Sequence, residues 1–211
     1  MTAAAWAVLV VALAIAALDW VSVAATIRWL EYATKPGFML ALILLAIVLR
    51  PIDQAERAFF IVALALGLIS DVFLMLPRDL FVAGLAAALV EHVAYISGFR
   101  TRDLHLGHLA IAGVIALVSI GVIFPAINGA LRRDHPNLVA PVIAYLAVFV
   151  LMVASAGGTG SLVALAGALL FFSSDAILAW NRFVKPLPFG RVVNIVPYHL
   201  GQALLVVSLV S

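Results

Sequence analysis

The stretch Ser-Asp-Val-Phe-Leu-Met-Leu-Pro-Arg at residues 70–78 decides the fold class, because it places a carboxylate near the end of a long apolar run. A second stretch, Ser-Asp-Ala-Ile-Leu-Ala-Trp-Asn-Arg at residues 174–182, repeats the Ser-Asp, Leu and Arg positions 104 residues later in a chain of 211. A charged side chain inside a membrane helix costs about 2.5–3.5 kcal/mol on insertion scales. Two carboxylates in matched settings, Asp71 and Asp175, therefore indicate a reactive centre.

The composition is that of an integral membrane protein. The chain is 66% hydrophobic and 10% charged, whereas soluble domains are about 45–50% apolar and about 25% charged. A net charge of +2 with no run of lysine or arginine argues against a nucleic-acid partner. The absence of cysteine excludes disulfides, thiolate metal sites and cysteine nucleophiles.

Eight apolar runs are candidates to cross a bilayer, which takes about 20 mostly apolar residues. They lack the alternation of apolar and polar residues that the strands of a membrane barrel show. The predicted spans are residues 3–21, 36–50, 58–76, 80–99, 107–127, 137–156, 160–180 and 190–210. We predict a single all-α domain over residues 1–211, a polytopic bundle of about eight transmembrane helices with a possible 4+4 parallel repeat.

The third and seventh spans run in the same direction through the membrane. Asp71 and Asp175 each lie about five residues before the end of their span, so both are expected roughly 7–8 Å inside the same membrane face. Arg78 and Arg182 follow seven residues later on the same helical stripe, about 10.5 Å closer to the surface. Lys35, at the head of the second span, is on that face too. This geometry suits an amphiphile whose anionic head binds the cations while the scissile bond lies beside a carboxylate.

The fourth and eighth spans carry further polar side chains that could line a cavity. His92 and Tyr95 share a helical face at i, i+3, and Tyr198 and Gln202 share one at i, i+4. The alternative is that such residues only hydrogen-bond neighbouring helices and that the arginines snorkel to the interface. Only two histidines lie within spans, which is too few for a metal site, and the GxSxG, HExxH and Walker motifs are absent. We therefore predict neither a metal nor a cofactor.

Five groups of residues, in this order, resemble the YhhN family of membrane proteins. They are Thr34-Lys35-Pro36, Ser70-Asp71-Val72-Phe73-Leu74, Gly84 with His92, Tyr95 and Phe99, Gly167-Ala168 with Phe171, Ser174-Asp175 and Leu178-Ala179, and Tyr198 with Gln202. The chain departs from the family pattern at Ser70, where glycine is usual.

The mammalian relatives of this family are lysoplasmalogenases. The resemblance implies hydrolysis of the vinyl ether bond of lysoplasmalogen, which yields a fatty aldehyde and glycerophospho-ethanolamine or -choline. It implies a lysophospholipid substrate and membrane lipids as partners. We expect a multi-pass protein of the bacterial inner membrane.

A vinyl ether is cleaved by protonating its β-carbon, and water then captures the resulting oxocarbenium ion. Such a site needs one protonated acid and one ionised carboxylate, as glycosidases use for a related cation. Burial and mutual repulsion keep one of two neighbouring carboxyls neutral. Our hypothesis is that Asp71 and Asp175 form the catalytic pair, and which of them is the acid stays open. The residues assigned to substrate binding are Lys35, Arg78, His92, Tyr95, Ser174, Arg182, Tyr198 and Gln202.

Three other interpretations stay open at this point. A proton-coupled transporter of an anionic amphiphile would also use parallel repeats, intramembrane carboxylates and a cationic mouth. A metal-dependent lipid amidase of the alkaline ceramidase type would need three histidines converging with an aspartate, which this sequence hardly supplies. A purely structural bundle would leave the paired aspartates without a purpose.

Overall fold

The computed structural model describes every residue, 1–211, and contains eight long α-helices and no β-strand. Each of them, counted with the short turns adjoining it, is long and apolar enough to cross a membrane. The helices are α1 (Ala3–Ala24), α2 (Arg28–Val48), α3 (Gln54–Met75), α4 (Phe81–Phe99), α5 (Leu106–Asp134), α6 (Val139–Gly158), α7 (Leu162–Ala179) and α8 (Gly190–Val207). A π-helical turn, Trp180–Val184, follows α7. The predicted all-α membrane bundle is confirmed, and the protein is a multi-pass integral membrane protein.

Neighbouring helices pack as four hairpins: α1 with α2, α3 with α4, α5 with α6, and α7 with α8. The hairpins are joined by contacts of α2 with α3, α4 with α6, α6 with α7, and α8 with both α1 and α2. This pairing agrees with a 4+4 arrangement, although the repeat itself stays a prediction.

The predicted start of the second span at residue 36 is wrong. Helix α2 begins at Arg28, so Pro36 lies inside it. Residues 28–35 look too polar to span a membrane, but Glu31 and Lys35 line a polar cavity and therefore need not be apolar. A proline inside a membrane helix is tolerated where neighbouring groups re-satisfy the freed backbone.

The predicted helical stripe from Asp71 to Arg78 is interrupted. Helix α3 ends at Met75, and Leu76 has the extended backbone conformation that a following proline, Pro77, imposes. Arg78 therefore lies in the loop between α3 and α4 rather than on the helix.

Helices α7 and α8 approach closely at two glycines. A Cβ atom added to Gly201 would lie 2.8 Å from the backbone nitrogen of Phe171 and 2.9 Å from the carbonyl oxygen of Gly167. Small residues permit such close packing between membrane helices, where the hydrophobic effect does not drive association. Because α7 carries Asp175 and α8 carries Tyr198, this contact sets the spacing of two predicted site residues.

Replacing Gly201 by alanine should lower the melting temperature of the detergent-solubilised protein by several degrees. The atoms that the new Cβ would meet are backbone, so the helices must move apart, and overpacking of this kind costs about 1–3 kcal/mol. The matched control is Gly121→Ala in α5, where an added Cβ has no neighbour within 4 Å. The control should keep or raise the melting temperature, because alanine favours helix more than glycine does. Equal melting temperatures for the two variants would contradict the close contact.

Candidate active site

A polar cavity of about 280 Å³ lies among the helices that carry both aspartates. It opens at one end of the bundle, where the half-exposed side chains of Arg28 and Arg191 line it. The volume is sufficient for several water molecules. Five of the predicted site residues line it: Lys35, Asp71, Ser174, Asp175 and Tyr198.

Asp71 is held by two side chains from other helices. The Lys35 Nζ atom lies 2.8 Å from Oδ1 of Asp71, and the Tyr198 hydroxyl donates a hydrogen bond of 2.7 Å to Oδ2. The Asp71 side chain is only 5% exposed, so little water reaches it. The Asp71 carboxyl is thus matched by one cation and one hydrogen-bond donor.

Asp175 has different surroundings. The Tyr145 hydroxyl on α6 donates to its Oδ2, and Nε2 of His92 on α4 lies 3.9 Å from the same oxygen. Nδ1 of His92 contacts the carbonyl of Ala88, which can only accept, so Nδ1 carries the ring hydrogen and Nε2 presents a lone pair. No lysine or arginine pairs with Asp175. Its hydrogen-bond donor is the neutral Tyr145 hydroxyl, so Asp175 lacks the direct cationic contact that Asp71 has.

Each of the two aspartates receives its partners from two other helices. The aspartate of α3 is contacted from the preceding helix, α2, and from α8. The aspartate of α7 is contacted from the preceding helix, α6, and from α4. In the predicted 4+4 repeat, which stays a prediction, α2 would correspond to α6 and α8 to α4. The two sets of partners differ in chemistry, with a lysine and a tyrosine on one side and a tyrosine and a histidine on the other.

A third carboxyl, Glu91, forms part of the cavity wall. Nε2 of Gln202 donates to Oε1 of Glu91 at 2.6 Å, and Oε1 of Gln202 accepts from the Tyr95 hydroxyl at 2.6 Å. Tyr95 and Gln202 are fully buried and do not line the cavity. These two predicted binding residues thus support Glu91 through hydrogen bonds from outside the cavity. Direct contact of Tyr95 or Gln202 with a substrate stays a prediction.

A buried polar network supports the partners of the α3 aspartate. Asp19 of α1 accepts a hydrogen bond of 2.5 Å from Thr34, and its other oxygen lies 3.8 Å from Nε2 of His199. Thr34 and His199 are the chain neighbours of Lys35 and Tyr198. The hydrogen bond from Thr34 to Asp19 therefore joins α1 to α2 next to Lys35, and His199 packs beside Asp19 next to Tyr198.

The two arginines predicted to hold phosphate lie outside the cavity. Nη2 of Arg182 donates to Asp79 at 2.6 Å, and this hydrogen bond lowers the pKa of Asp79 in the α3–α4 loop. Arg78 is exposed and forms no ion pair. Arg28 and Arg191 occupy the cavity mouth instead. The binding roles of Arg78 and Arg182 stay predictions.

Sequence reasoning missed several polar residues of the cavity, among them Tyr145, Arg28 and Arg191. A phenol hydroxyl in the middle of an apolar span normally has a partner, so Tyr145 was a usable signal. The two arginines resemble any interfacial cation, and nothing in the sequence distinguishes them from Arg78 and Arg182.

An apolar cleft meets the polar cavity at Asp175. Fifteen of the 16 residues that line the cleft are hydrophobic, and they come mainly from α4, α5, α6 and α7. Tyr145 and Asp175 line both spaces. The arrangement can hold one amphiphile, with its polar part in the cavity, its apolar chain in the cleft and the junction between them beside Asp175.

The chain is similar to a known family of membrane proteins and to several characterised relatives. The YhhN family matches residues 30–209. Lysoplasmalogenase TMEM86B of Homo sapiens is 32% identical over 150 residues, which cover 69% of this chain and 61% of the relative. TMEM86B of Sus scrofa is 33% identical over the same shares of both chains. Lysoplasmalogenase TMEM86A of Homo sapiens is 30% identical over 162 residues, covering 75% of this chain and 67% of the relative.

The matched region spans about three fifths of the length of the TMEM86B relatives. No solved structure matches the chain.

Replacing Lys35 by methionine should destabilise the protein, because it leaves the Asp71 carboxylate buried without its cation. Removing one partner of a buried ion pair costs about 3–5 kcal/mol. The melting temperature in detergent should fall by several degrees. The double variant Lys35→Met/Asp71→Asn should recover most of the loss, since a neutral amide needs no counter-ion. An equal loss in the single and double variants would show that the ion pair is not what stabilises this position.

Proposed function

Because this chain belongs to the YhhN family, we propose that it is a membrane hydrolase that cleaves the vinyl ether bond of a lysoplasmalogen. The products are a fatty aldehyde and glycerophospho-ethanolamine or -choline. The observation that carries the proposal is the junction of a polar cavity and an apolar cleft at Asp175. A lysoplasmalogen has the same two-part form, and its vinyl ether lies where the chain meets the glycerol head.

The proposed acid is Asp175. It lies in the wall of the apolar cleft and has no cationic partner, so its neutral form is favoured where the alkenyl chain enters. The Asp175 proton passes to the β-carbon of the vinyl ether, and the electrons of the double bond form the new C–H bond. The α-carbon, which is bonded to the ether oxygen, then carries the positive charge as an oxocarbenium ion.

The proposed stabiliser of this cation is Asp71, whose negative charge the Lys35 ammonium sustains. Water from the cavity attacks the oxocarbenium carbon and gives up a proton to the Asp175 carboxylate. The product of this addition is a hemiacetal. The hemiacetal then collapses: its hydroxyl loses a proton, the ether oxygen leaves with one, and aldehyde and alcohol separate. One water is consumed and the carboxyls end in their starting states.

His92 and Tyr145 are proposed to position the acid. The Nε2 lone pair of His92 faces the Oδ2 atom of Asp175, and Tyr145 donates to that oxygen. The hydrogen bond from Tyr145 restricts the carboxyl to one orientation and leaves Oδ1 to carry the proton toward the bound chain, while the His92 ring packs beside Oδ2. Such positioning counts because general acid catalysis contributes about 10²–10⁴-fold and depends on geometry.

The proposed location is the bacterial inner membrane. Outer-membrane proteins of bacteria are closed β-barrels, and an all-helical bundle belongs to the other membrane.

Asp175→Asn and Asp71→Asn should each lower kcat for aldehyde release by about 10²–10⁴-fold, because each removes one of the two carboxyls. The assay is mass spectrometry of purified protein in detergent, incubated with alkenyl and acyl lysophospholipids side by side. The matched control is Asp103→Asn, an exposed carboxylate at the far end of α4, which should keep full turnover. Full turnover by folded Asp71 and Asp175 variants would refute the mechanism. Uptake into proteoliposomes without any aldehyde would favour the transporter instead.

Filling the apolar cleft should weaken activity toward long-chain substrates. Ile123 lines the cleft, whereas its neighbour Val122 is 77% exposed on the outer surface of α5. Ile123→Trp should reduce kcat/KM for a long alkenyl chain about tenfold and affect a short chain less, since steric loss of chain contacts is of this size. Val122→Trp adds the same ring outside the cleft and should change neither value. Identical kinetics for both variants would show that the alkenyl chain of the substrate does not bind in this cleft.

A further inference from the structure

Two arginines and one carboxylate surround the mouth of the polar cavity. Arg191, near the start of α8, bridges both oxygens of Glu31 on α2 through Nη2, at 2.6 and 2.7 Å. Arg28 Nη1 lies 3.7 Å from Oε2 of Glu31. All three residues line the cavity, and the mechanism proposed above uses none of them.

The exposure of these groups is uneven in a way that suits a ligand. Both arginine side chains are 48% exposed, whereas that of Glu31 is only 7% exposed. Glu31 therefore depends on its cationic neighbours, while the arginines still have donors that face the open mouth. Arg28 also donates to the carbonyl of Met75 at 3.2 Å, which ties its side chain to the end of α3.

We propose that Arg28, Glu31 and Arg191 form a headgroup site that recognises a zwitterion made of a phosphodiester and a primary ammonium. This inference rests on the proposed function, because it names the headgroup of the same lipid. The phosphodiester binds the two guanidinium groups, which suit phosphate oxygens. The ammonium binds Glu31.

Binding then exchanges ion pairs. The internal pair of Arg191 with Glu31 is replaced by one pair between arginine and phosphate and another between Glu31 and ammonium. The count of buried charges without a partner does not rise, which matters because a stranded buried charge is strongly unfavourable. A lipid without an ammonium would strand Glu31 after its phosphate drew Arg191 away. A lipid without a phosphate would leave the internal pair in place.

The same exchange separates the two zwitterionic headgroups. A primary ammonium donates three hydrogen bonds and can replace those that Glu31 loses from Arg191. A trimethylammonium neutralises the charge but donates none. The site should therefore bind an ethanolamine headgroup more tightly than a choline headgroup.

The test is equilibrium binding, measured by native mass spectrometry on full-length protein in detergent. The probes are saturated 1-O-alkyl lysolipids, which lack the vinyl ether and cannot be cleaved, with phosphoethanolamine, phosphocholine or phosphoglycerol heads, together with 1-O-alkylglycerol. The wild type should bind phosphoethanolamine most tightly. Glu31→Gln should weaken phosphoethanolamine binding about tenfold and strengthen phosphoglycerol binding, because it removes a negative charge beside two arginines. Arg191→Gln should weaken all three phospholipids about tenfold and leave alkylglycerol unchanged.

The matched control is Arg133→Gln, an arginine whose side chain is 72% exposed at the end of α5, which should alter no affinity. Melting temperatures identify variants that fail to fold, and for these Glu31→Asp and Arg191→Lys provide the milder change. The headgroup site would be overturned if the wild type bound all headgroups with equal affinity. It would also be overturned if Glu31→Gln weakened the binding of every lipid or strengthened the binding of every lipid. If the headgroup effects appear but vinyl ether substrates release no aldehyde, the headgroup site stands and the proposed hydrolysis fails.

Discussion

The ion pair between Lys35 and Asp71 is the interaction on which the rest of this site depends. A carboxylate that is 5% exposed inside a membrane bundle is costly to bury without a cation beside it, and the lysine ammonium lies 2.8 Å away. That requirement accounts for the polar first turns of α2, which bring Lys35 to the aspartate. It also accounts for the network of Asp19, Thr34 and His199 behind it, since a charge pair at this depth needs both partners held in place.

The contrast between the two aspartates follows from their neighbours rather than from their local sequences. Both occupy a Ser-Asp step near the end of a helix, in runs that share only the Ser-Asp, Leu and Arg positions. One faces a lysine, and the other faces a tyrosine, a neutral histidine and an apolar cleft. Two carboxyls that share a repeated motif thereby acquire unlike environments, and the proposed division of roles between acid and stabiliser rests on this difference.

Much of the fold followed from the sequence because membrane helices are specified locally. Each needs about 20 apolar residues, and all eight candidate runs became helices. The error at Pro36 arose because the first turns of α2 face a cavity rather than lipid, which hydropathy alone does not reveal. The sequence assigned to one site five residues that do line one cavity: Asp71, Asp175, Lys35, Ser174 and Tyr198. This was possible because the number and length of the spans indicate which residues lie near the same membrane face. For Tyr95 and Gln202, the choice between facing the cavity and supporting its wall depends on helix rotation, which the sequence does not give.

The sequence by itself determined the all-α class, the number of spans and the buried carboxylates, because bilayer thickness and the energy of charge in lipid act on single helices. Only the tertiary structure decided which cation serves which carboxyl. Lys35 is 36 residues from Asp71 along the chain, and the arginines at the cavity mouth come from α2 and α8 rather than from the helices that carry the aspartates. Such pairings depend on how the helices rotate and pack against one another. Close contacts such as the one at Gly201 set that packing. The order of residues along a single helix does not encode it, because the contact involves two helices.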